Sequence, residues 1–593
     1  MTPPDVLLHY ETRLADLQAA FESIRRRGIL ALLAAALSLA LLLILNLHPL
    51  RSRLPLAARL LPIPCAIVAL LQYRRDSRTQ TRTHRLLLFY RRAAARVRGE
   101  WAGDGPTGEE FPAPDHLYAR DLNVTGEGSL FQLLCTARTA IGRRGLARYL
   151  LELPEWDELQ LRQDAVRELQ PLITLRERIA LLGGLEALES KWEPFEEWLA
   201  LPPVAFGRPF RALALLTSTL ILLAAVAGLT SLVPWLTVAR FVAPLIAFHA
   251  AMGLLLRSQV ARMIARFRPM NGETQVLREG LQILEESHFQ SHKLCELAQR
   301  VRGSALSVRR LELLLIALNE RTKDWFYGPS LVLLGATQLC MAIESWRLTH
   351  REALAGWLAA WSEFEALNAL ANYAWENPGN TFPEFVDATC FEGEAIGHPL
   401  LPAASCIAND VRLHQDARFY IVGGSNMSGK STLLRAIGLN AVLAYAGAPV
   451  RAHALRLSRL SLCASLSVLD SLLNGKSKFM AEVDRLRLTL ETARSGKPVL
   501  FLIDEILSGT NSRDRRAASE AVVRTLIAHG AIGALSTHDL ALTEIATPEL
   551  RGVNVHTGSR DGTDPLDFDY RLKPGITTET NALAIARLAG VPI

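Results

Sequence analysis

The chain lacks the marks of a secreted or metal-bound protein. Its seven cysteines (Cys65, Cys135, Cys295, Cys340, Cys390, Cys406, Cys463) are odd in number, scattered, and never spaced as C-x-x-C. That excludes a zinc-ribbon signature and a disulfide framework, and it points to a reducing compartment. A large excess of one charge is missing too: +6 over 593 residues is too little for bulk electrostatics to argue for nucleic acid. No internal repeat or low-complexity tract appears. What the chain has in excess is apolar character, half of its residues being hydrophobic. That excess is concentrated in a few runs, and outside them the chain reads as an ordinary charged globular protein, long enough for roughly three or four domains.

The first run, 28–47 (GILALLAAALSLALLLILNL), carries no charge over the ~20 residues that a bilayer-spanning helix needs. A signal peptide has a shorter apolar region followed by a small-residue cleavage site, whereas HPLRSRLP follows here. The second run, 54–73, is interrupted by Arg59 and by Pro55, Pro62 and Pro64; its alternative is a re-entrant or interfacial segment. A further pair, 212–232 and 233–256, turns at Val233-Pro234-Trp235, with Arg240 placed to snorkel near the start of the last span. A buried helical hairpin is the alternative for that pair. None of the four carries polar residues suited to a substrate path, so they read as anchors.

Arginine placement sets the orientation. Arg25, Arg26 and Arg27 precede the first span. After the second come Arg74, Arg75, Arg78, Arg82, Arg85, Arg91, Arg92, Arg96 and Arg98, with Asp76 alone among the acids. Arg257, Arg262, Arg266 and Arg268 follow the fourth span, and the link at 233–235 is uncharged. Two hairpins then leave the N-terminus, the middle and the C-terminus cytoplasmic. Beside a spanning helix the arginine cluster reads as a topology and anionic-lipid signal, with DNA as the other partner it suits.

Residues 115–200 are helical in pattern, and 128–154 shows apolar residues at three- and four-residue spacing until Pro154. Residues 257–376 are again long and helical with mixed charge, which predicts extended helices packed in pairs. The turn-rich stretch 377–387 (NPGNTFPEFVD) marks a boundary.

Beyond it lies the chemistry. Phe419-Tyr420-Ile421-Val422 reads as a strand, GGSNMSGKST (423–432) as a glycine-rich loop, and LLRAIGLNAVLAYAG as a helix. Gly424 to Ser431 spells G-x-x-x-x-G-K-S. Gly424 and Gly429 let the backbone aim its N–H groups at phosphate oxygens, and the helix start adds its positive end. Lys430 neutralises the β- and γ-phosphates, and the Ser431 hydroxyl can ligate Mg²⁺. The second half is the apolar run Pro498 to Ile503, which reads as a buried parallel strand ending in Asp504 and Glu505. Asp504 would hold Mg²⁺ and Glu505 would polarise the attacking water. Another strand, Ala531 to Leu535, ends in Ser536-Thr537-His538-Asp539, where His538 is a candidate γ-phosphate sensor.

These residues resemble the MutS family. Gly424-Ser425-Asn426-Met427-Ser428-Gly429-Lys430-Ser431-Thr432 matches the family's G-P-N-M-G-G-K-S-T at seven of nine places, with Asn426-Met427 the distinguishing pair. Gly475 to Val483 (GKSKFMAEV) is similar to its G-x-S-T-F-M-x-E-M. Asp504-Glu505, Gly509-Thr510 and Asp514 fit D-E-x-x-x-G-T-x-x-x-D, Thr537-His538 fits its T-H switch, and Leu588 to Pro592 fits its L-A-G-V-P. Upstream, Thr136 to Gly142 (TARTAIG), residues 361–373 and Gly397-His398-Pro399 look like parts of the family's helical core and the approach to its ATPase.

The resemblance implies an α/β P-loop ATPase domain of the MutS/ABC type over 386–593. Ahead of it would lie a mainly helical core and lever region (111–210 and 257–385), with transmembrane hairpins in 1–110 and 211–256. It implies ATP and Mg²⁺ as cofactors, Asn426, Met427, Ser428 and Thr432 in the phosphate loop, and Tyr570 stacked on the base. It also implies a homodimer through the ATPase domain in which Ser477 reaches the partner's γ-phosphate, and double-stranded DNA as a partner; membrane lipid is the partner that the apolar runs and the arginine cluster imply. Several features depart from the family. Cys406 stands where the family stacks an aromatic on adenine, and Ser508 replaces an arginine. No F-x-E in a glycine-aromatic setting is present; Phe21-Glu22-Ser23 and Phe195-Glu196-Glu197 read as surface residues of helices. The chain also ends at Ile593 without the helical extension that helps MutS dimerise. The expectation is a multi-pass protein of the cell (inner) membrane whose cytoplasmic ATPase drives conformational change, without mismatch specificity. A membrane scaffold or a transporter-like ATPase is the alternative.

Overall fold

A computed structural model describes residues 2–47, 55–183, 198–202, 208–267, 271–321, 324–425, 427–466, 478–507, 511–558 and 568–577. The chain divides into two compact units. The first comprises Met1–Thr136, Leu146–Leu181 and Leu367–Ile593, the second Ala137–Gly145 and Leu182–Ala366.

The first unit opens with two long helices, α1 (Pro3–Asn46) and α2 (Pro62–Arg98). Pro3 and Pro4 fill the first turn of α1, where an N–H is not needed, and the Asp5 carboxylate accepts from the Thr2 N–H at 2.6 Å. Gly99, left-handed at φ 81°, ends α2. Both helices run far beyond their apolar spans, and their polar halves pair through Val6, Tyr10, Leu17, Leu87, Tyr90, Ala93 and Ala94. Phe21, expected on the surface, packs partly buried against this seam.

The seam is a stalk, and its foot is cross-linked to the rest of the unit. Arg96 grips Glu376 with two bonds of 2.7 and 2.8 Å. Arg92 holds Asp104, Arg98 holds Glu11, and Arg85 donates to the Leu181 carbonyl. Tyr90 Oη and Arg13 both donate to Glu177. Arg85, Arg92, Arg96 and Arg98 therefore serve as structural partners.

A six-stranded sheet forms the C-terminal part of this unit. Its strands are β4 (Phe419–Gly423), β6 (Ser461–Ser465), β7 (Val499–Asp504), β8 (Ile532–Ser536), β9 (Gly552–His556) and β10 (Lys573–Pro574), in the order β10-β9-β4-β8-β7-β6. All pairs are parallel except β10 with β9. The near-continuous apolar runs of β4, β7 and β8 are what a parallel sheet covered on both faces needs, and Phe419, Ile421, Val499, Phe501, Ile503 and Leu535 are core residues. A smaller sheet of β1 (Glu384–Phe385), β2 (Phe391–Ile396), β3 (Asn409–Leu413) and β5 (Ala454–Leu457), ordered β1-β5-β2-β3, precedes and flanks it in sequence.

The second unit holds a helical pair, α3 (Arg208–Leu229) and α4 (Trp235–Phe267), then helices at Asn271–Glu286, His292–Arg300 and Ser304–Glu320, then α5 (Asp324–Val332) and the start of α6 (Gly335–Glu376). Its helices are tied by charge. Arg278 meets Glu312 at 2.6 Å, Lys293 meets Glu363 at 3.0 Å, and Glu285 accepts from Ser304 Oγ and the Ala305 N–H. In the described residues four helices, including α1, α2, α3 and α4, are long and apolar enough to cross a membrane.

Candidate functional site

β4 lies between β9 and β8, so the loop leaving it emerges at the carboxyl edge of the parallel strands, where such sheets bind ligands. The register brings the other ends to the same place: Ser536 pairs with both Val422 and Asp504.

The loop is held by its own backbone. Gly424 has φ +144° and Gly429 +95°. A Cβ at Gly424 would sit 2.6 Å from the Thr557 carbonyl oxygen, and one at Gly429 would sit 3.0 Å from the Tyr570 ring, so the loop closes only on glycine there. Ser428 Oγ donates to the Ser425 carbonyl at 2.8 Å and lies 2.7 Å from Thr557 Oγ1. Met427 is left-handed at φ 69° and exposed. The helix Lys430–Ala446 begins directly after Gly429, so loop amides and the positive end of the helix face one place. Thr432 is exposed in its first turn. Lys430 Nζ donates to the Gly424 and Ser425 carbonyls at 2.8 and 2.7 Å. Burial pulls its ammonium below the usual lysine range, against the opposing pull of Asp504 and Glu505.

Ser431 Oγ donates to Asp504 Oδ2 at 2.5 Å, and Ser536 Oγ donates to the other oxygen of the same carboxylate. A hydroxyl and a carboxylate side by side beside a phosphate cradle are the hard oxygen donors that Mg²⁺ takes, so the residues fit the ion. Glu505 follows in the left-handed region at φ 52°, a conformation that costs a non-glycine residue about 1–3 kcal/mol and persists where the surroundings enforce it. Its N–H donates to the Ser536 carbonyl at 3.1 Å. His538 Nδ1 lies 2.8 Å from Glu505 Oε1. An ionised carboxylate only accepts, so His538 is the donor there.

Tyr570 Cδ1 is the nearest atom to where a Gly429 Cβ would be. Its carbonyl accepts from Asn409 Nδ2 at 3.0 Å, and Asn409 Oδ1 accepts from the Leu572 N–H, so the segment after Cys406 is tied to the Tyr570–Leu572 segment. Cys406 Sγ accepts from the His398 N–H and lines a cavity of about 480 Å³ shared with Trp101, Tyr373 and Arg451. Asn426, Ser477 and Ser508 lie outside the described residues, as do Gly475, Gly509-Thr510 and Leu588 to Pro592. Within the second motif, Glu482 is buried and accepts from the Leu507 N–H, which clamps the chain just beyond Glu505. Sequence reasoning missed Ser536 and Thr557. Ser536 stands next to the T-H pair and was within reach; Thr557 sits in no motif.

Residues 420–593 match the family model of MutS domain V. The DNA mismatch repair protein MutS of Lactobacillus delbrueckii subsp. bulgaricus is 35% identical over 203 residues, which cover 33% of this chain and 23% of that protein. The DNA mismatch repair protein MutS of Lactobacillus johnsonii is 32% identical over 241 residues, 39% of this chain and 28% of that protein. The chain therefore spans about a quarter of the length of these relatives. The C-terminal domain, residues 420–593, is thus a MutS-family domain.

Proposed function

We propose that the protein is a membrane-anchored ATPase that couples ATP binding and hydrolysis to movement of its helical segments, acting on or near duplex DNA without mismatch specificity. The observation that carries this is the convergence of Lys430, Ser431, Asp504, Glu505 and His538 at one edge of the sheet. Loop amides and Lys430 would bind the phosphates, and Tyr570 would lie on the base. Ser431 and Asp504 would hold Mg²⁺, which supplies positive charge against the phosphate oxygens. Glu505, with one oxygen taken by His538, would use the other to polarise a water. In a closed dimer Ser477 would come from the second subunit.

Four apolar helices support a multi-pass anchor in the cell membrane, with the arginine-rich ends cytoplasmic. The similarity to DNA mismatch repair proteins supports DNA as the macromolecular partner. The seam of α1 with α2 and its charged foot support movement of the first hairpin with the nucleotide domain.

Lys430→Ala should abolish nucleotide binding or turnover. Glu505→Ala should keep binding and lose turnover by ~10²–10⁴-fold, the usual cost of removing a general base. Binding of a fluorescent ATP analogue and phosphate release, measured on both variants, test this. Wild-type turnover in Glu505→Ala would overturn the role given to that carboxylate.

A further inference from the structure

The apolar surface of the second unit does not end with α3 and α4. Between Asp324 and Glu344 every residue from Trp325 to Ile343 is uncharged. This stretch is not one continuous helix. α5 stops at Val332, Leu334 is left-handed at φ 51°, and α6 starts at Gly335. The corner is tight: a Cβ on Gly335 would lie 2.6 Å from Ser330 Oγ.

Breaking a helix frees carbonyls, and here the α3–α4 pair satisfies them. Val332 O accepts from His249 Nδ1 of α4 at 2.7 Å. Leu333 O accepts from Ser218 Oγ of α3 at 3.3 Å and from Gln338 Nε2 at 2.8 Å, and Gln338 also reaches Ser218 Oγ. Thr217 Oγ1 lies 2.7 Å from His249 Nε2. A carbonyl only accepts, so His249 carries its proton on Nδ1. Thr217, Ser218 and His249 are all buried, although the sequence shows them only as interruptions in apolar spans. Irregular backbone at membrane depth is tolerated only where protein groups satisfy it, and this cluster does so. The outer face is different. Tyr327 and Leu331 are exposed, as are Leu222 and Leu223 on α3 and Leu254 and Leu255 on α4.

We propose that residues 325–343 enter the bilayer as a discontinuous helix packed on the second hairpin, its exposed face against lipid acyl chains and both its ends on the cytoplasmic side. The last point follows from contacts within the second unit. Trp346 Nε1 donates to the Ser307 carbonyl at 2.9 Å, and Lys293 pairs with Glu363. The chain after the run is thus bonded to helices before it, which a single crossing would place on opposite faces of the membrane. The inference rests on the reading of α3 and α4 as membrane spans.

The unmodified full-length chain, reconstituted in phosphatidylcholine vesicles whose acyl chains carry a mid-chain diazirine, tests both. After photolysis, adducts are mapped by peptide mass spectrometry. Adducts should appear on the segment containing Tyr327 and Leu331 at a yield comparable with Leu222 and Leu223, and not on Leu306, which is exposed on the helix Ser304–Glu320. Adducts on α3 and α4 but none within 325–343 would overturn the proposal alone. Their absence from α3 and α4 as well would remove the hairpin reading and the proposal with it.

Discussion

Arg96→Met should destabilise the first unit severely, and adding Glu376→Leu should recover most of the loss. The two side chains are joined by a bidentate contact, and they are only 11% and 3% exposed. Removing one member of such a pair strands a buried charge, which costs about 3–5 kcal/mol, whereas replacing both by apolar groups is commonly near neutral. After Arg96→Met, Glu376 keeps its bond from Asn372 Nδ2 at 2.9 Å, so the lower end, about 3 kcal/mol, is expected. That is roughly a hundredfold in the unfolding equilibrium. Denaturant unfolding of the detergent-solubilised protein, followed by tryptophan fluorescence, is the assay. Trp101 lines the cavity that Arg96 and Glu376 also line, and Trp375 packs on the stalk seam. A loss below about 1 kcal/mol in the single variant, as exposed pairs show, would refute the argument. So would a double variant as unstable as the sum of the singles.

Gly142→Ala should be destabilising far beyond a helix-propensity effect, because its Cβ would overlap Glu365 Oε2; thermal unfolding against a Gly272→Ala control, whose Cβ meets open space, checks this. Burial pushes the Glu365 carboxyl up to about 7 from 4.5, despite hydrogen bonds from Thr139 and the Arg138 N–H. Because the folded value is the higher one, the stabilisation is complete below about pH 4.5 and lost as pH rises through 7. Stability should fall by up to about 3 kcal/mol over that window, and Glu365→Gln should flatten the profile in denaturant titrations. DNA binding should weaken steeply with salt as counterions are released. It should also fail to distinguish a matched duplex from one with a single mismatch; discrimination beyond about tenfold, or roughly 1.4 kcal/mol, would reveal a reading element not identified.

The phosphate loop was legible in sequence because its chemistry is local: Gly424, Gly429, Lys430 and Ser431 lie within one turn and one helix start. Asp504, Glu505 and His538 could be named because apolar strands announce their own ends. Ser536 and Thr557 were not, since their contacts to Asp504 and Ser428 depend on strand pairing across the sheet. The same limit hid the stalk. Arg85, Arg92, Arg96 and Arg98 read as lipid-facing charge, but their partners Leu181, Asp104, Glu376 and Glu11 lie elsewhere in the chain, most of them far away. Within the mixed-charge stretch 257–376, the contacts that tie one helix to another, Glu285 to Ser304 and Arg278 to Glu312, likewise join residues well apart in sequence. The broken run 325–343 escaped because periodicity is a test of continuity.

The stalk also sets an electrical distance. On the anchoring proposed above, which puts the bilayer boundary at Arg27 and Arg74, residues 3–27 of α1 and 74–98 of α2 amount to ~37 Å of helix on each side at 1.5 Å per residue. The field of an anionic leaflet decays over about 8 Å at physiological salt, several times less than that length. Lipid charge therefore acts on the top of the stalk and is screened out before its foot. Anything the membrane communicates to the nucleotide domain along this path must travel as displacement, and so must anything sent back. A tilt of about 10° at the foot of a ~37 Å arm carries its far end roughly 6 Å sideways, about the pitch of one helical turn.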